Sequence, residues 1–122
     1  MISEIRLTKI PTTPIGVFYF EKSKSQMRDS YTSKIDSVAS VLKKNSHMNV
    51  SIVGHTSADG SSRLNRTLSL KRGKVIARLL IKSGVDRSRI TVSGVGSKQP
   101  KVIRDAEDYQ SMNRRVEVFL RN

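Results

Sequence analysis

Two stretches of this chain keep apolar residues on one helical face, and short strand-like runs separate and flank them. In the first, Tyr31, Ile35, Val38, Ala39 and Leu42 recur at i, i+4, i+7, i+8 and i+11, which is one face of a 3.6-residue period. The second runs from about Arg66 to Ser83, with Leu68, Val75, Ile76, Leu79 and Leu80 as its expected buried stripe. Gly16–Phe20, Asn49–Val53, Ile90–Val95 and Arg115–Leu120 are rich in β-branched and aromatic residues and read as strands, the last with Val116, Val118 and Leu120 on one face. The predicted order is β-α-β-α-β-β. Strands alternating with amphipathic helices bury their apolar sides against each other. The expected fold class is therefore α/β (an α+β sandwich): a mixed four-stranded sheet with helices packed on one face.

The first helix is expected from about Asp29 to Asn45-Ser46, and Gly84 fits the stop of the second. Gly73 lies inside that second helix at a cost of about 1 kcal/mol relative to alanine, so close packing is expected there. Pro11 and Pro14 mark residues 1–14 as an extended lead-in. Residues 97–112 read as a long polar connection with Pro100 and the acidic residues Asp105, Glu107 and Asp108. No repeat, low-complexity tract or linker divides the sequence, so residues 1–122 are expected to form one domain.

Composition narrows the function classes. Cysteine is absent, which excludes a disulfide framework and a thiolate metal site. No apolar stretch approaches the roughly 18 to 20 residues that span a bilayer. The N-terminus lacks an apolar core of the signal-peptide kind, leaving an excised domain or a protein without its own export signal. The net charge is +13, from 23 Lys+Arg against 10 Asp+Glu, a balance that attracts polyanions. Aromatics make up only 5% of the chain, poor support for base stacking, so nucleic acid is not the expected partner.

Polar residues concentrate in Gly54-His55-Thr56-Ser57-Ala58-Asp59-Gly60, directly after a predicted strand. A hydrolytic triad of His55, Ser57 and Asp59 is not expected, because alternating positions on one strand end do not easily hydrogen-bond one another. His47 and His55 lack metal-ligand spacing. No enzyme activity, metal or cofactor is expected. Asn65 reads first as the cap of the following helix and second as a ligand contact. Arg114 and Arg115 flank the last strand in either a structural or a binding role.

These pieces, in this order and spacing, resemble the OmpA-like peptidoglycan-binding domain. The matching residues are Phe18-Tyr19-Phe20-Glu21, Gly54-His55-Thr56 with Gly60, Asn65 with Leu68-Ser69 and Arg72, and Gly84-Val85. Gly94-Val95-Gly96 with Pro100, and Asn113-Arg114-Arg115-Val116-Glu117, complete the pattern. The resemblance implies non-covalent binding of the peptidoglycan stem peptide. The ligand would be the free end of diaminopimelate, with an amine and a carboxylate on one carbon. It implies that Arg72 takes the carboxylate, a pairing that suits the guanidinium fork. It implies a periplasmic or cell-envelope location, and a parent membrane protein or larger envelope machine tethered to the wall, such as a secretion or phage-tail assembly.

One position departs from the pattern. Ser57 stands where the family carries the aspartate that takes the ammonium. At 4 Å and an effective dielectric near 20, that lost charge pair amounts to about 4 kcal/mol before desolvation. Three readings stay open: Asp59 swings in, Glu21 takes over, or the ligand differs. The expected site is Phe20, Glu21, Thr56, Ser57, Asp59, Asn65, Leu68, Arg72 and Arg114, with Phe20 and Leu68 as apolar walls. The alternative is the same fold with a degenerate pocket, serving as a basic adaptor or structural module for acidic polymers or protein partners. A homodimer through the sheet or a helix stays open.

Overall fold

The computed structural model describes residues 13–57, 61–98 and 111–122. Within them lie β1 (Gly16–Tyr19), α1 (Thr32–Lys44), β2 (Asn49–Gly54), α2 (Ser62–Lys82), β3 (Ile90–Gly94) and β4 (Arg115–Arg121), with 3-10 turns at Asp29–Tyr31, Arg87–Arg89 and Ser111–Asn113. Most of the predicted lead-in, Asp59, Pro100 and the acidic residues 105, 107 and 108 fall outside the described residues.

The sheet order is β1-β4-β2-β3. β4 runs antiparallel to both neighbours, with Phe18 opposite Val116 and Ile52 opposite Val118. β2 and β3 are parallel, with Ile52 opposite Val92, as a connection through a helix allows. The sheet is thus mixed, and both helices lie on one face. Phe18, Val50, Ile52, Val116 and Val118 are fully buried there against Ile35, Val38 and Leu42 of α1 and Ile76 and Leu80 of α2. Each such side chain stabilises the fold by roughly 1.5–3 kcal/mol relative to exposure.

Two expectations about α2 need correction. The helix starts at Ser62, a turn before the predicted Arg66, because Ser61 caps it: the Leu64 N–H donates to the Ser61 hydroxyl at 3.1 Å. Asn65 is therefore not the cap but a buried residue of the first turn. The buried face is also rotated. Asn65, Ser69, Arg72, Gly73, Ile76, Ala77 and Leu80 face inward, whereas Leu68, Val75 and Leu79 are half-buried along one flank. The cause is how closely α2 lies on the sheet. A Cβ on Gly54 would sit 1.8 Å from the Ser69 carbonyl oxygen, and one on Gly73 would sit 2.7 Å from Val92 Cγ1. Small residues occupy the closest contacts, and Leu68, Val75 and Leu79 are displaced together to one side.

α2 ends as its sequence foretells. Gly84 adopts φ +106°, a left-handed conformation glycine takes without strain. Its N–H donates to the Ile81 carbonyl at 2.9 Å, and the Val85 N–H to that of Leu80 at 3.1 Å, which is the Schellman arrangement.

Candidate functional site

The centre of the candidate site is Arg72. It lies on the inner face of α2, between Ser69 and Ile76, and its exposure is 0%. The guanidinium carbon lies 5.4 Å from the centroid of the buried Phe20 ring. Three of its N–H groups donate to backbone carbonyls: Nε to Lys24 at 2.8 Å, Nη2 to Glu21 at 3.0 Å and Nη1 to His55 at 3.1 Å. One side chain therefore ties α2 to the segment after β1 and to the end of β2.

A guanidinium carries five N–H donors. Three are occupied, which leaves one on each terminal nitrogen, the pair a carboxylate accepts in bidentate fashion. Among the described residues no carboxylate pairs with Arg72. Burial, and the charge of nearby Arg114, push its pKa down to about 10. Arg114 is itself buried and donates from Nε to the Phe20 carbonyl at 3.1 Å.

The segment after β2 forms the rest of the site. Thr56 and Ser57 are both buried. The Thr56 N–H donates to the Gly96 carbonyl at 2.9 Å, while its Oγ1 has no hydrogen-bond partner among the described residues. A buried hydroxyl without a partner forgoes about 1–3 kcal/mol and is available to a ligand. Beside Phe20, a cavity of about 280 Å³ is lined also by Tyr19, Arg28, Tyr31 and Met112.

The other expected residues have different settings. Glu21 offers Arg72 its carbonyl, while its carboxylate pairs at the surface with Arg28. That leaves it poorly placed as a replacement for the missing aspartate. Leu68 is half-buried on the flank of α2 rather than on its inner face. Asn65 is buried in the first turn, and Asp59 lies outside the described residues.

His55 reaches β4. Its Nε2 lies 2.9 Å from Glu117 Oε1, and Glu117 also sits 3.2 Å from Arg115 Nε. Burial and Arg115 lower the His55 pKa to about 4, against the opposing pull of Glu117. At neutral pH the ring is uncharged and donates to the carboxylate, which makes it a strut between β2 and β4. Among the described residues, no group of three or more His, Asp or Glu could hold a metal.

Sequence reasoning missed two parts of this arrangement. The carbonyls of Lys24 and His55 carry no residue-type signal. Ser69 had one, as the serine of the matched helix pattern, without its role being apparent. Its hydroxyl donates to the Arg66 carbonyl at 2.8 Å and accepts the Gly96 N–H at 2.9 Å. That joins α2 to the segment after β3.

A model of the OmpA family matches residues 19–114. The probable lipoprotein YiaD of Escherichia coli is 34% identical over 101 residues, which is 83% of this chain and 46% of that protein. The peptidoglycan-associated lipoprotein of Legionella pneumophila is 31% identical over 110 residues, 90% of this chain and 61% of that protein. The chain thus spans about half the length of these relatives. Among solved structures, the peptidoglycan-associated lipoprotein of Burkholderia pseudomallei superposes with a TM-score of 0.83 at 25% identity, covering 86% of this chain and 89% of that one. The C-terminal domain of Helicobacter pylori MotB superposes with a TM-score of 0.81 at 23% identity, covering 88% and 85%, which is a likeness of fold.

Proposed function

The chain belongs to the OmpA family, and from that premise we propose that it binds the peptidoglycan stem peptide non-covalently and anchors a parent protein or envelope assembly to the wall. The observation that carries this reading is Arg72: a buried guanidinium, without a carboxylate partner among the described residues, that keeps one N–H free on each terminal nitrogen. A buried charge is costly unless paired, and a ligand carboxylate supplies the partner. The relatives named as peptidoglycan-associated support the same ligand class.

Arg72 donates to the carboxylate. Thr56 Oγ1 and the Ser57 hydroxyl supply uncharged contacts, and Phe20 backs the guanidinium. Since Arg72 is fully covered, a carboxylate reaches it only when the 21–24 or 55–57 segment shifts. Nothing in this reading makes or breaks a bond, so the site is a binding site. The wall-facing side of the envelope is the location it requires.

The test is calorimetric titration with a diaminopimelate-containing muropeptide on wild type, Arg72→Lys and Ser57→Asp, with the fold of each checked by circular dichroism. Wild type is expected to bind, Arg72→Lys to bind at least tenfold more weakly, and Ser57→Asp to bind more tightly through the ligand amine. If wild type and a folded Ser57→Asp are both silent, the stem peptide is not the ligand.

A further inference from the structure

The β3-side flank of α2 carries a second candidate site. α2 contains seven lysines and arginines and no acidic residue. At 100° per residue, Arg63, Arg66, Lys74 and Arg78 fall within an arc of about 120°, while Arg72 lies on the opposite side of the helix. This arc faces β3, an edge strand. Two cavities lie along the α2–β3 junction. One, of about 250 Å³, is lined by Arg63, Arg66 and Lys98 together with Ser62 and the backbone around Gly96. The other, of about 300 Å³, is lined by Lys74, Arg78 and Arg87 together with Ile81, Ile90 and Val92. Among the described residues neither cavity has an acidic lining residue, and these six cations have no ion pair.

The placement of Arg63 is informative. A helix N-terminus carries partial positive charge and favours acidic side chains in its first turn. α2 has no acid there and instead carries Arg63. Arginine at that position opposes the helix dipole, and an external anion relieves the conflict.

We propose that this groove binds a slender, flexible, phosphate-bearing polymer that runs along α2, from Arg63 and Lys98 at one end to Arg78 and Arg87 at the other. Residues 63 to 78 span about 22 Å of helix axis, room for several successive phosphates. Four of the six cations are arginines, whose forks suit phosphate oxygens. The cavities receive a narrow chain, whereas a flat lipid surface or a nucleic-acid duplex meets only their rims. Among the described residues no aromatic side chain lines either cavity, so they offer unpaired bases no stacking platform. This site is independent of the Arg72 pocket.

The test titrates the protein with long-chain inorganic polyphosphate, with a single-stranded oligonucleotide of equal charge and with anionic phospholipid vesicles, each at two salt concentrations. The variants are wild type, Arg63→Gln/Arg66→Gln/Lys74→Gln/Arg78→Gln, and a charge-matched control with Lys43→Gln, Lys44→Gln, Lys22→Gln and Lys82→Gln. Polyphosphate is expected to bind wild type best. The groove variant should lose more than tenfold affinity and flatten the slope of log K against log salt by about 2 to 3. The control should keep most of the binding. Equal losses in both variants would show diffuse charge rather than a groove and overturn the proposal. So would preferential binding of the oligonucleotide or the vesicles. Muropeptide titration of the groove variant separates this outcome from failure of the Arg72 reading, because that pocket is untouched.

Discussion

Replacing Arg72 by methionine tests whether a buried cation can act as a structural brace. The substitution keeps a flexible chain of similar reach and removes the charge with all its donors. Three carbonyls, of Glu21, Lys24 and His55, then lose their partner. Hydrogen bonds from a charged donor contribute about 1.5–3 kcal/mol each, so the loss is about 5 to 9 kcal/mol. Against this stands relief from burying the charge. The drop of the Arg72 pKa to about 10 corresponds to about 3 kcal/mol. The net destabilisation is therefore about 2 to 6 kcal/mol. Urea unfolding followed by far-UV circular dichroism reads this as a fall in midpoint of about 1 to 3 M, given a slope of about 2 kcal/mol per M for a domain of this size. Arg72→Lys should lie between the two, since one ammonium cannot serve three carbonyls in separate directions. A methionine variant as stable as wild type would refute the brace, and would place this arginine among buried ions that apolar residues replace without loss.

Two further outcomes follow from the same geometry. His55 has a folded-state pKa lowered to about 4 from 6.5, so the unfolded chain takes up its proton first as pH falls. The stability that depends on the neutral ring is complete above pH 6.5 and is lost progressively towards pH 4, by about 3 kcal/mol. His55→Gln should flatten that part of a denaturation-against-pH profile, and an unchanged slope would show that His55 does not set it. Gly54→Ala places a methyl group 1.8 Å from the Ser69 carbonyl oxygen, a backbone atom that cannot turn aside. Thermal melting should show a loss of at least about 3 kcal/mol, and a variant melting like wild type would mean that α2 lies farther from β2 than described.

Much of the fold was legible because it depends on period. β1 to β4 and α1 announced themselves through alternation and a clean apolar stripe, and the structure moves their ends by only a few residues. α2 was read less well for a physical reason. Its first turn holds Arg63 and Asn65 and a largely solvent-facing Leu64, 67% exposed, so no apolar pattern marks where it starts. Its buried face then depends on Ser69 and Gly73, chosen for smallness rather than hydrophobicity. Of the site, the resemblance pointed to Arg72, Phe20, Thr56 and Ser57, and these four are all buried near the ends of β1 and β2 or on the inner face of α2. That the arginine would spend three donors on carbonyls was not readable, since every residue has a carbonyl. Nor was the engagement of Glu21 by Arg28, two residues of ordinary surface type.

The strand order also determines how this chain must assemble. β2, α2 and β3 are consecutive and can pair after closing a modest loop. β1 and β4 come from opposite ends, with Gly16 opposite Val118, and their pairing closes almost the whole chain at the highest entropic cost. Yet β4 is an inner strand, wedged between β1 and β2. Until it inserts, β2 has an unpaired inner edge of full length, which is a template for any matching strand. The best match in solution is the β4 of another copy. Slow insertion at high concentration would therefore yield exchanged pairs of chains, each completing the other's sheet.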